Sequence, residues 1–267
     1  MDGLQKNGSA YRLTSIGSTQ LRFEGIDALE LHFEGSHQPR PLADNARDFL
    51  TGRLGLNPVP YKPPEDLSVL PPVKRDGTPG FILSRALEAH GRPVAFVFDA
   101  EPPQPDGAEI VLKPALLRKS VNFKSMAAGH AYPLYYDTLF VDLRDAFTAA
   151  AATARDKNLG IWADDRSVSG IAISDQATLE RDGVVFPKLF RRLTEYLREH
   201  PGDAAGFGAW LADKREQVLD LTTHNFTHFD NVVEEKAGAV RLLRRPQELV
   251  FVSAKTSSRA VAPWLKV

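Results

Sequence analysis

The sequence predicts an α+β chain: a meander of short strands first, then helices. Residues 11–35 alternate apolar and polar side chains around the breaks Gly17-Ser18 and Gly25, the pattern of twisted strands joined by tight turns. Residues 94–98 form an unbroken apolar run of strand length, followed by a Pro-rich turn. Residues 138–158 then carry Leu139, Leu143, Phe147, Ala150, Ala151 and Ala154 on one helical face, and Gly160 closes the helix.

The remaining elements follow in order. Leu42, Ala46, Phe49, Leu50 and Leu54 recur at helical spacing, with Asp44 and Asp48 near the start where carboxylates suit the helix dipole, so residues 42–54 are expected to be helical. Prolines 58, 60, 63, 64, 71 and 72 make residues 57–79 a long surface insertion. A short helix is expected over residues 81–89, stopping at Gly91, and a strand over 109–112. A further helix at 116–128 is closed by Gly129. Residues 164–174, rich in Asp, Ser and Gly, read as a linker. Beyond it, 184–199 and 205–219 have helical periodicity, and 240–243 with 249–252 look like a terminal strand pair. This divides the chain into a domain over 1–165 and a mainly helical extension over 166–267.

Composition sets the bounds. With 267 residues, 43% of them hydrophobic, the chain can bury one large core or two modest ones. Its 33 basic and 34 acidic residues leave a formal charge of -1, so no overall field draws it to nucleic acid or to anionic lipid, and any phosphate binding must be local. The absence of cysteine excludes disulfides, thiolate nucleophiles and Cys-ligated zinc, and leaves the compartment open. The polar start, with no signal-peptide core and no membrane-length apolar run, leads to the expectation of a soluble, cytoplasmic protein, or a secreted one if a leader has been removed.

The candidate chemistry begins at Arg22. From there the chain reads Arg-Phe-Glu-Gly-Ile-Asp-Ala-Leu-Glu, so that a strand running into a turn can project Arg22, Asp27 and Glu30 into one cleft. A cation to neutralise phosphoryl charge and carboxylates to activate water or hold a hard metal suit phosphodiester hydrolysis. By itself this spacing more often describes solvated charges beside a turn. A second guanidinium, Arg92, follows His90-Gly91 at the mouth of the apolar run Val94-Ala95-Phe96-Val97-Phe98.

Together these stretches resemble the two signature regions of the thermonuclease (staphylococcal nuclease-like) family, one built around Arg-x-x-x-x-Asp-x-Pro-Glu and the other around Tyr-Gly-Arg before a hydrophobic strand. Residues 120–135 resemble the family's helix and tyrosine-bearing loop. Residues 142–162 resemble its last helix, ending in Gly160-Ile161-Trp162, so the likeness runs collinearly over residues 11–165. It implies a five-stranded OB-fold barrel with about three helices that binds single-stranded DNA or RNA. On the matching positions, Arg22 and Arg92 would grip the scissile phosphate, Asp27 would ligate Ca2+, Glu30 would act as general base, and His90 and Tyr135 would contact substrate. Tyr132 and Tyr136 lie in the same loop and are equally open to a packing role.

The departures are specific. The family's Asp-Gly-Asp-Thr, about fourteen residues before the first arginine, carries a metal-ligating aspartate. That region here reads Asn7-Gly8-Ser9-Ala10, which predicts weak calcium binding. Ala28-Leu29 replaces the small residue and proline, and His90 replaces tyrosine. Two functions follow as expectations: a metal-dependent phosphodiesterase, or a non-catalytic module of nuclease descent that binds nucleic acid or a protein partner. Arg22, Asp27, Glu30 and Arg92 are expected to converge on one cleft, with the extension packed away from it or serving in self-association. His224 and His228, four apart, make a weak metal candidate, and the pairs Arg191-Arg192 and Arg244-Arg245 read first as solvated helix or loop charges, with extra nucleic-acid contacts as the alternative.

Overall fold

The computed structural model describes residues 13, 15, 17–56, 61–62, 66–69, 79–88 and 90–253. The Ser9 position and most of the Pro-rich insertion lie outside them; within the insertion, β3 (Tyr61–Lys62) and β4 (Asp66–Val69) form an antiparallel pair.

The chain is α+β, as its patterning predicts. Two-residue strands β1 (Arg22–Phe23) and β2 (Ile26–Asp27) flank Gly25, whose positive φ of 78° turns the backbone. β1 runs parallel to β6 (Pro93–Phe98), which pairs antiparallel with β5 (Phe81–Leu87) in a three-stranded sheet, while β2 pairs with β7 (Tyr132–Pro133). Among the described residues these strands do not close into a barrel. β1 and β2 are too short to carry a continuous ladder, and the expected strand at 109–112 is irregular, with Val111 facing solvent.

The expected helix at 81–89 is also a strand. Phe81 stacks on Phe98 across the β5–β6 hairpin with ring centroids 4.4 Å apart, and pairing beside an apolar strand overrides the local helical spacing. Helix α1 (Arg40–Arg53) falls where predicted. The expected helix at 116–128 is split into α2 (Pro114–Leu117) and α3 (Val121–Ala127) by Ser120, which accepts from Phe123 N as an N-cap and donates to Leu117 O. Buried Asn122 on α3 donates to Glu24 O and Ala95 O and accepts from Val97 N, fastening that helix across β1 and β6. α4 (Val141–Asp156) buries the predicted face, including Phe147.

The strand β8 (Tyr135–Tyr136) joins the first segment to the rest of the chain. It pairs parallel with β14 (Leu249–Phe251), the last strand described, in the order β11 (Asn225–His228), β10 (Gln217–Asp220), β14, β8. A second three-stranded sheet holds β9 (Ile171–Ala172), β13 (Ala239–Leu242) and β12 (Val233–Lys236). The terminal strands β13 and β14 therefore lie in different sheets and do not pair with each other. The expected helix at 205–219 is α7 (Phe207–Asp213), which ends before Arg215 at a positive φ of 48° and gives way to β10. The expected helix at 184–199 is α6 (Pro187–Glu199), preceded by α5 (Gln176–Asp182).

The stretch read as a linker is structural. Asp165 Oδ1 accepts from the Tyr132 hydroxyl, Ser167 N and Ser167 Oγ, and Ser167 Oγ accepts in turn from Phe186 N. One apolar cluster runs from Leu29 through Tyr132, Phe147 and Trp162 to Phe186, Phe190, Phe229 and Phe251, so residues on both sides of position 165 share one core.

Candidate functional site

Asp27 and Glu30 are brought together by the turn at Gly25 and the short β2–β7 pairing. Glu30 is then held through its backbone. Its N donates to Gln38 Oε1 at 3.1 Å and its carbonyl accepts from Gln38 N at 2.8 Å. The Gln38 side chain is fully buried, and its Nε2 donates to Gly183 O and Val185 O, both at 2.8 Å, just ahead of α6. The same loop is tied down by Ser36 Oγ donating to Glu180 Oε1 at 2.7 Å and by the Arg198–Glu34 ion pair.

The cation that meets these carboxylates is Arg191 of α6. Its Nη2 donates to Asp27 Oδ2 at 2.8 Å, its Nη1 lies 3.3 Å from Asp27 Oδ1, and Nη1 also donates to Glu30 Oε1. The three side chains are 16–22% exposed, so the cluster is largely removed from water. Burial raises the Glu30 pKa, and the neighbouring Asp27 charge adds to this; Arg191 and, more weakly, Arg92 pull it back without restoring the ordinary value. For Arg191, burial works against the charge, but the two carboxylates outweigh it and hold the guanidinium firmly protonated. The expectation that the extension packs away from the carboxylates is thus overturned: its helix α6 supplies their partner.

The other candidates separate around this cluster. Arg92 lies within electrostatic reach of Glu30, but its own ion pair is with Glu88, and its side chain is 39% exposed at the β5–β6 turn. Partial burial would raise the Glu88 pKa; hydrogen bonds from the Arg92 side chain and backbone and from His90 N hold it lower. His90 is exposed at that turn. Arg22 sits on β1 opposite Val94, two positions beyond Arg92, and its Nη2 donates to the Tyr136 hydroxyl at 2.9 Å while its guanidinium lies 4.7 Å from that ring's centroid.

Tyr135, expected to contact substrate, is fully buried, with its hydroxyl bonded to Thr148 Oγ1 and Arg144 O, so it cannot stack on a base. Tyr132 is buried as well, its hydroxyl on Asp165. Alternation along β8 leaves Tyr136 as the half-exposed ring beside Arg22. Lys188 of α6 lies 5.8 Å from the Tyr136 centroid and 4.4 Å from that of Phe251, and pairs with Glu216, which Arg192 also holds.

A calcium ion at Asp27 and Glu30 fits these residues poorly. Hard cations take six or more oxygen ligands. Here both Asp27 oxygens and Glu30 Oε1 are engaged by Arg191, and among the described residues no group of three His, Asp or Glu side chains is placed to hold a metal. His224 lies in the turn just before β11 and His228 is the last residue of that strand, so the two do not share a helix face. Lys188, Gln38 and Glu216 were not singled out from the sequence as site residues, and Arg191 was read as a solvated charge or nucleic-acid contact, not as the partner of Asp27 and Glu30. A signal was present in α6, where Lys188, Arg191, Arg192 and Glu195 recur at i, i+3, i+4 and i+7, a charged stripe on a helix whose Leu189, Phe190, Leu193 and Leu197 are core.

No protein-family model matches the chain, and no curated protein matches it.

Proposed function

We propose that the chain is a phosphodiester-binding module, taking single-stranded DNA or RNA at the rim that carries Arg92, His90, Arg22 and Tyr136, on a scaffold related to the OB-fold of the thermonuclease family, and that it does not cut what it binds. The observation that carries this is the guanidinium of Arg191 over both Asp27 and Glu30. Arg191 takes both Asp27 oxygens and Glu30 Oε1, which leaves only Glu30 Oε2 to accept from a water and makes the paired carboxylate a weaker base than a free one. At the rim, the Arg92 side chain is 39% exposed, and the Tyr136 hydroxyl, which accepts from Arg22, keeps its own hydrogen to donate to a phosphate or base.

The nuclease alternative has one specific support: Glu30, with its raised pKa, lies near Arg92, the combination a water-activating carboxylate beside a phosphate clamp would need. One pair of measurements separates the two. Fluorescence anisotropy with labelled oligo-dT and oligo-U is expected to show salt-dependent binding. Incubation of the same oligonucleotides with calcium chloride or chelator is expected to leave them intact. Cleavage that requires calcium and is lost in Glu30→Gln would replace the binding function with hydrolysis.

A further inference from the structure

We infer that Arg191 is the resident cation of this site, a built-in guanidinium that occupies the place a metal ion would take between Asp27 and Glu30 and makes the protein independent of calcium. The inference concerns the same site as the binding proposal and shares its central contact, but its test involves no nucleic acid.

Two planar oxygens of Asp27 face the two terminal nitrogens of Arg191, and one of those nitrogens also reaches Glu30. A carboxylate pair taken from water needs a counter-charge; here it comes from the chain, with directional hydrogen bonds that a sphere of charge does not supply. Arg191 is also not a lid that can swing away. It lies between Phe190 and Leu193 on a helix in which Leu189, Phe190 and Leu193 are completely buried. The carboxylate side is equally fixed, since Gln38 binds the Glu30 backbone to Gly183 and Val185 immediately before that helix. Moving α6 away would require opening the core, and swinging the Arg191 side chain out alone would leave two largely buried carboxylates without a counter-charge, so the pairing is a constitutive replacement for a metal and not a reversible inhibitory contact.

The test is thermal melting and calorimetric titration of the full chain with calcium chloride and with chelator. The unsubstituted protein is expected to keep the same melting temperature in both and to release no calcium-binding heat. Arg191→Met, which leaves the carboxylates without a cation, is expected to melt lower and to regain melting temperature in calcium chloride at about millimolar concentration, a response absent in sodium chloride of equal ionic strength and lost in Arg191→Met/Asp27→Asn. Should Arg191→Met fail to fold, Arg191→Lys serves: it keeps a charge, and calcium-insensitive melting of that variant supports the inference. Calcium stabilisation of the unsubstituted chain that disappears in Asp27→Asn would overturn it, as would a folded Arg191→Met that does not respond to calcium.

Discussion

Arg191 and Asp27 are 164 positions apart in sequence, yet Arg191 Nη2 lies 2.8 Å from Asp27 Oδ2 and Nη1 lies 3.3 Å from Oδ1, a forked contact that fastens the last third of the chain to its first turn. Because the pair is mostly buried, removing one partner leaves the other charge uncompensated. Arg191→Met is expected to lower the unfolding free energy by about 3 kcal/mol. Urea denaturation of Arg191→Met, Asp27→Asn and the double variant should give a coupling energy of about 1–3 kcal/mol. Additive losses would mean that the contact contributes no pairwise stabilisation.

Because Phe186, Phe190, Leu193 and Phe251 belong to the same cluster as Tyr132, Phe147 and Trp162, a fragment ending at Asp165 should not fold. Its circular dichroism is expected to lack a cooperative thermal transition, and that of the full chain to show one. A fragment that melts cooperatively would establish an independent domain over 1–165.

Glu216 supplies the pH dependence. Burial would raise its pKa, but Lys188 and Arg192 outweigh that and hold it below the ordinary glutamate value. A folded pKa below the unfolded one means stability that is fully present above about pH 4.5 and is lost as the pH falls through the lower folded value. Glu216→Gln is therefore expected to destabilise the protein at neutral pH and to flatten the decline of stability on acidification. Unfolding curves between pH 7 and pH 3 measure both effects, and an unchanged slope in the variant would contradict the assignment.

Gly129 and Gly160 meet back to back. Ile161 N donates to Gly129 O at 2.9 Å, and a Cβ on Gly160 would stand 2.2 Å from that same oxygen, at a φ of 53° that side chains rarely adopt. Neither atom is the flexible end of a side chain, so Gly160→Ala is expected to cost about 3 kcal/mol. Chemical denaturation checks it. Gly107→Ala, also at positive φ but with open space around the added carbon, separates the backbone cost from the clash.

For binding, Arg92→Gln should weaken oligonucleotide affinity; because its partner Glu88 is only 9% exposed, some loss of melting temperature is expected with it, and Arg92→Gln/Glu88→Gln, which leaves no unpaired carboxylate, separates the two effects. The slope of log affinity against log salt should fall by about 1 if Arg92 contacts one phosphate. An unchanged slope would move the binding rim elsewhere.

Local patterning was enough to predict α1, α4, β6, the left-handed cap at Gly129 and the approach of Asp27 to Glu30, because each depends on residues within a few turns of one another. The resemblance carried by Arg22, Asp27, Glu30 and Arg92 also came from short segments read in order. What those segments could not specify was the partner of the carboxylates. Arg191 looked like an ordinary surface cation because its spacing marks a charged helix face, and nothing local says whether that face meets water or two buried carboxylates. Phe81–Leu87 became a strand for the same reason: its neighbour β6, not its own periodicity, sets its hydrogen bonding. Tyr135 and Tyr136 differ by a single position, and only the placement of β8 against β14 puts one ring in the core and the other beside Arg22. Periodicity can state which residues share a face, but the counter-charge and the surface that face meets are set by segments more than a hundred positions away, brought in by burial of one shared core.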